Sequence, residues 1–183
     1  MRSSSAFTSP TALVRFFLTA GVLTAIDLWT KSLAFSKFAV GDGFYALVPG
    51  WLQFEAVENH GAVFGWGQGG RMVFIVVSIA AIAFLMFLFA TSGRRWVFQI
   101  LLGFLLAGVL GNLYDRVKFG YVRDMIHALP MWKNFFPYVF NVADSCLCTG
   151  VGLMVIYSFV VEQQRKRELA GQESGKSAGK SHG

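Results

Sequence analysis

YVFNVADSCLCTGVGLMVIYSFVV, residues 138–161, is the stretch whose reading decides the fold. It is apolar over the roughly 20 residues that a helix needs to cross a bilayer core. Yet Asp144 lies near its start. An ionisable side chain at the centre of a membrane helix costs roughly 2.5–3.5 kcal/mol on insertion scales, so an acid kept there marks a candidate functional position. If the helix begins at the first apolar residues, Asp144 sits about 7 Å, a turn and a half, inside it at 1.5 Å per residue.

Three further apolar runs of similar length lie upstream, at about residues 12–33, 72–91 and 96–115, and with 139–161 they predict four transmembrane helices. Of 183 residues, 55% are hydrophobic and 19 are Phe, and the mean hydropathy is +0.53. That composition excludes an ordinary soluble domain. The expected fold class is an all-α membrane protein, one domain over residues 1–161, with a small extracytoplasmic β-hairpin in the loop 36–71 and a second extracytoplasmic loop at 116–138. The opening MRSSSAFTSPT resembles the start of a secretory signal peptide, but no small-x-small site follows before Asp27, so an uncleaved first helix is expected.

Four spans put both termini on one side. The turn Ser92–Arg95 (SGRR) and the run Arg165–Arg167 (RKR) mark that side as cytoplasmic, although Arg116, Lys118, Arg123 and Lys133 fall in the opposite loop. The net charge of +6 then reflects membrane topology, and no nucleic-acid partner is expected. Residues 162–183, EQQRKRELAGQESGKSAGKSHG, have little apolar surface to bury and read as a solvated, disordered tail. Cys146 and Cys148 point to different helix faces and serve packing. His60 and His127 lack ligand-spaced partners, so neither a metal nor another cofactor is expected.

The polar residues gather where span 1 ends, span 3 ends and span 4 begins, which is one face of the membrane. They are Asp27 and Lys31, then Asn112, Asp115 and Arg116, then Asn141 and Asp144. Ion pairing accounts for most of them: Asp27 with Lys31 at i, i+4, and Asp115 with Arg116 or another base. Asp144 and Asp124 are left without a cation at helical spacing. Around Asp124, the alternation in GYVRDMIHA (residues 120–128) predicts extended chain with Asp124 turned toward the helices and Arg123 away from them. Two carboxyls in an apolar setting can share a proton, one acting as base on a water and the other as acid, which is the chemistry of aspartic peptide hydrolysis.

In the first loop, Leu52, Phe54 and Ala56 alternate with Gln53 and Glu55 as in a half-buried strand, and Pro49-Gly50 marks a turn that pairs it with Phe44–Val48. Such a hairpin could lie on the bilayer and shelter an extended peptide. The following ENHGAVFGW (residues 58–66) reads equally as a turn or as a segment in which Asn59 bonds a substrate backbone.

The motifs DLWTK, NHGAVFGW, GNLYDRVKFGYVRDMI and FNVADS, in that order and across all four spans, resemble those of bacterial lipoprotein signal peptidases, the type II signal peptidases. The resemblance implies an aspartic endopeptidase of the bacterial inner membrane that removes signal peptides from diacylglyceryl-modified prolipoproteins, cutting before the lipid-bearing cysteine near the outer face. It assigns catalysis to Asp124 and Asp144, and substrate contact or site shaping to Asn59, Gly61, Asn112, Arg116, Asn141 and Ala143. Asp27, Lys31 and Asp115 fall on supporting structural positions. A monomer working in the lipid bilayer without a cofactor is expected. The rival reading is a proton-coupled transporter or channel, but span 2 and most of span 3 lack ionisable groups, so no polar path crosses the bilayer.

Overall fold

Helix α1 (Pro10–Lys37) begins where the Ser9 hydroxyl accepts from the Ala12 N–H and Pro10 supplies a preset φ at the first turn. The computed structural model describes residues 5–61, 70–132, 134 and 138–180, with side chains described as far as residue 172. Helices α2 (Arg71–Ala90), α3 (Trp96–Lys118) and α4 (Val142–Lys180) complete the set. Among the described residues, four helices are long and apolar enough to cross a membrane.

α3 is the central helix. Half of its apolar stretch is buried, against 22% or less for each of the other three, and it packs on α1, α4 and α2 while α2 and α4 barely meet. Between lipid-facing helices the packing force is close van der Waals contact, which favours small residues at crossings. Gly108 and Gly111 serve this on α3. A Cβ at Gly108 would lie 2.6 Å from the Ala143 carbonyl of α4. One at Gly111 would collide with the Asp27 carboxyl of α1 and come within 3.1 Å of Ala143 Cβ. At the other end of the bundle, Phe16 stacks on Phe89 at 4.3 Å within a core that includes Ala20, Leu102 and Leu106.

Four antiparallel strands cover one end of the bundle in the order β1 (Phe44–Val48), β2 (Leu52–Asn59), β3 (Val122–Ala128) and β4 (Val139–Phe140). The hairpin of the first loop is present as expected, turning at Gly50 with φ +77°. After α3 the chain reverses at Gly120, φ +90°, just past the helix C-cap at Phe119, where glycine adopts the left-handed conformation without steric cost.

Two expectations are corrected. Val139 and Phe140 are not the first turn of span 4 but a strand paired with Ile126 and His127, and α4 starts at Val142. Asp144 therefore lies in the first turn of its helix, where backbone N–H groups have no helical partner, rather than a turn and a half inside. Arg123 does not face away from the helices. It is 6% exposed, with its guanidinium on Asp115 at 2.8 Å and over the Phe119 ring at 4.4 Å. Both faces of β3 are covered, so strand alternation there does not separate buried from exposed. At the far end the described side chains from Gln163 to Gln172 are exposed, as a solvated tail requires, while the backbone keeps helical geometry to Lys180. A helix already nucleated in the bundle propagates at little cost per residue.

Replacing Gly108 by valine should lower the melting temperature in detergent by the equivalent of about 1–3 kcal/mol, the usual cost of overpacking. Gly152→Ala, at a position where an added Cβ meets nothing within 4 Å, should leave melting unchanged in the same thermal scan.

Candidate functional site

The polar layer lies where α1, α3 and α4 meet β3. The start of α4 explains its shape. Asn141 precedes the first helical residue, and its Oδ1 accepts the Asp144 N–H at 2.9 Å while the Asp144 Oδ2 accepts the Asn141 N–H at 3.2 Å. This is a reciprocal capping box built from Asn and Asp. A third N–H of the same turn, that of Ala143, donates to Asp27 Oδ1 of α1 at 2.8 Å. Two carboxylates thus sit at the positive pole of α4, where a helix best accommodates negative charge.

Asp27, Lys31 and Asp115 form a fully buried cluster. The Lys31 Nζ lies 2.7 Å from Asp27 Oδ2 and 3.3 Å from Asp115 Oδ2 and donates to Asn112 Oδ1 at 3.1 Å, so the ammonium is ion-paired to two carboxylates and hydrogen-bonded to one amide. Asp115 pairs with Lys31 and Arg123, two bases brought to it by the fold, while the neighbouring Arg116 points elsewhere. Asp115 also accepts the Arg123 backbone N–H at 3.0 Å, which fixes β3 to the end of α3.

Asp124 is 1% exposed. Its Oδ1 accepts from Asn141 Nδ2 at 2.6 Å and its Oδ2 from Asn59 Nδ2 at 2.9 Å. Burial first, then the nearby Asp144 charge, push its carboxyl from 3.8 up to about 7, against the opposing pull of the two amides and of Lys31. Asn59 reaches it because of a β-bulge. Phe54 pairs with Ile126, but further along Val57 pairs with Asp124 and Asn59 with Val122. Had the first register continued, Glu58 would oppose Val122 on the Asp124 face; one extra residue in β2 exchanges the faces and brings Asn59 there instead.

A cavity of about 710 Å³ opens beside the two acids. Asn59, Gly61, Asn112, Arg116, Asp124 and Asp144 all border it. Its walls are Phe74, Val77, Ser78 and Ala81 of α2 and Ser145, Leu147, Cys148 and Thr149 of α4, with Gly108 and Val109 of α3 behind. Arg116 lies with its guanidinium 4.9 Å over the Phe74 ring. Asn141 and Ala143 are fully buried and are not among the residues that border the cavity. They hold the site from behind.

Every site residue predicted from sequence falls in this layer. The sequence reading missed Arg123 as the second partner of Asp115 and missed the apolar wall on α2. Ser145, Cys148 and Thr149, at helical spacing on α4, offered a signal for the facing wall, since a stripe of small polar residues on a membrane helix marks a face turned to protein rather than to lipid. Residues 62–66 of the motif 58–66, and Lys133, lie outside the described residues.

Comparison with known proteins places the chain. A family model described as signal peptidase (SPase) II matches residues 19–160. A lipoprotein signal peptidase of Enterococcus faecalis is 33% identical over 155 residues, covering 84% of this chain and 93% of the relative. One from Symbiobacterium thermophilum is 33% identical over 144 residues, covering 78% and 93%. A bacterial membrane enzyme solved by the in meso method at 2.3 Å is similar with a TM-score of 0.74 and 29% identity, over 87% of this chain and 93% of that one. With its motifs and polar layer inside the matched region and all four apolar helices overlapping it, the chain belongs to the signal peptidase II family.

Proposed function

We propose that this protein is an aspartic endopeptidase that removes signal peptides from diacylglyceryl-modified prolipoproteins, cutting before the lipid-bearing cysteine. The observation that carries the reading is that Asp124 and Asp144 border one cavity and that both carboxyls accept from Asn141, that of Asp124 from its side-chain amide and that of Asp144 from its backbone N–H. Charge balance supports a single shared proton. Asp27, Asp115, Asp124 and Asp144 stand against Lys31, Arg116 and Arg123, and one proton brings the layer to neutrality. Buried charge that is not balanced is costly, so that proton is retained.

In this reading Asp144, on the helix N-terminus, is the base and Asp124 carries the proton. Asp144 takes a proton from a water; the resulting hydroxide adds to the scissile carbonyl carbon, and Asp124 passes its proton to the carbonyl oxygen. Collapse of the gem-diol breaks the C–N bond, and the amine leaves with a proton returned from the pair. Asn59, Gly61 and Arg116 form the wall along which an extended peptide backbone would lie. The signal-peptide helix would occupy the gap between α2 and α4, entering sideways from the lipid.

The sheet end of the bundle is assigned to the outer face of the cytoplasmic membrane, with both termini inside, because the SGRR turn and the RKR run lie at the opposite end. Exposed Phe44, Tyr45, Trp51 and Trp132 suit the aromatic belt of an interface. Lipidation would then deliver the substrate. Each buried methylene contributes about 0.8 kcal/mol, so two acyl chains hold the cysteine at the depth of the acids far more firmly than a bare peptide is held.

Asp124→Asn and Asp144→Asn should each abolish cleavage of a lipidated precursor while the protein remains folded in detergent; near-normal turnover by either would remove the acid pair from the chemistry. Because the Asp124 carboxyl is raised, its proton is present below about 7 and lost above it. Cleavage should accordingly decline as the pH rises through that value, which a pH–rate profile on the purified enzyme measures. Unlipidated precursor in the same micelles should be processed at least about tenfold more slowly than the diacylglyceryl form, a difference of only about 1.4 kcal/mol in delivery, and equal rates would refute delivery by the lipid.

A further inference from the structure

Each carboxylate oxygen of the acid pair accepts a hydrogen bond whose donor cannot be exchanged for an acceptor. Asn59 is oriented by the Gly61 N–H, which donates to its Oδ1 at 3.0 Å, and this turns its NH₂ to Asp124. Asn141 is oriented by the Asp144 N–H, which claims its Oδ1 and turns its NH₂ to Asp124 and to Asn112 Oδ1. An amide that gives its oxygen to an obligate donor has only its nitrogen left for the acid.

Asn112 is different. Its Nδ2 donates to Asp144 Oδ1 at 2.8 Å, but what faces its Oδ1 is no backbone N–H. It is the Lys31 ammonium at 3.1 Å, with Asn141 Nδ2 at 3.2 Å beside it. Lysine is a donor only, so the atom opposite it must be the oxygen, and a charged donor on the carbonyl polarises the amide and strengthens the N–H it offers at the other end. Lys31 is held for this task. It is 0% exposed, and the Asp27 and Asp115 carboxylates flank its ammonium at 2.7 and 3.3 Å. It does not border the cavity.

We infer that Lys31 is a positioning residue of the reaction: flanked by Asp27 and Asp115, its ammonium, with Asn141 Nδ2 beside it, holds the Asn112 oxygen so that the amide NH₂ faces Asp144. The Asp27–Lys31 pair on α1 thereby has a part in turnover beyond holding helices together. The inference rests on the proposed acid pair, since Asn112 matters here only if Asp144 takes part in the chemistry.

The test is Lys31→Met, Asn112→Leu and the double variant, assayed with a diacylglyceryl-modified precursor in micelles and normalised to folded protein. Lys31→Met should lower kcat by about tenfold or more, as misplacement of a reacting group does, with KM unchanged because Lys31 touches no substrate. In the Asn112→Leu background the same change should have no further effect on kcat, since two residues acting through one contact are not additive. Equal fold-losses in both backgrounds, a raised KM with unaltered kcat, or wild-type kcat per folded molecule would each overturn the inference. Should Lys31→Met not fold, Asn112→Leu alone decides the matter: it can neither accept from Lys31 nor donate to Asp144, and must lose kcat to a similar degree. A kcat within about twofold of wild type in that variant, less than about 0.5 kcal/mol, would overturn the inference too. Cleavage by Asp124→Asn would instead overturn the acid-pair reading, so the two failures are distinguishable.

Discussion

A lysine ammonium with no access to solvent, ion-paired to two carboxylates and hydrogen-bonded to an amide, is the constraint on which the site depends. Lys31 draws Asp27, Asp115 and Asn112 to one point, and each of those groups reaches on to another element: Asp27 to the first turn of α4, Asp115 to β3, Asn112 to Asp144. Removing one partner of a buried ion pair costs about 3–5 kcal/mol, because the other charge stays where water cannot reach it. The cluster is therefore intolerant of partial occupancy. It also demands close helix approach, which is why glycine stands at position 111, where the Asp27 carboxyl takes the space of a side chain.

The two acids proposed for catalysis sit in dissimilar surroundings. Asp144 belongs to a helix N-terminus, with its oxygens accepting from Asn112 and from the backbone of Asn141. Asp124 belongs to a strand in the sheet that covers the bundle end, and its carboxyl is raised by burial. A pair of like residues can divide the roles of base and acid only if their environments differ. Here the difference comes from secondary structure: a helix end supplies a positive pole, and a strand supplies none.

The cavity also reflects how the helices are arranged. Because α3 takes the centre and α2 and α4 barely meet, the space between them is walled by apolar and small side chains and ends at the acids. Ser78, Ala81, Ser145, Cys148 and Thr149 leave room in it that larger residues would fill.

Much of this was legible in the chain. Hydropathy determined four spans, because the bilayer thickness sets helix length regardless of partners. The hairpin at residues 44–56 followed from alternation and a Pro-Gly turn, and an acid among apolar residues identified Asp124 and Asp144 as positions needing explanation. Other features depended on partners distant in sequence. Where α4 begins was decided by the pairing of Val139 and Phe140 with β3 and by the Asn141 cap; apolar residues suit a strand and a membrane helix alike, so hydropathy cannot separate them. That Asn59 rather than Glu58 meets Asp124 was decided by a one-residue bulge, which leaves no mark in a period-two pattern. That Asp115 binds Arg123 and Lys31 rather than its neighbour Arg116 was decided by a chain reversal at Gly120 and by packing against α1. Sequence alone determines what one segment does in a given solvent; which charges meet in a buried layer is settled only when the segments have packed.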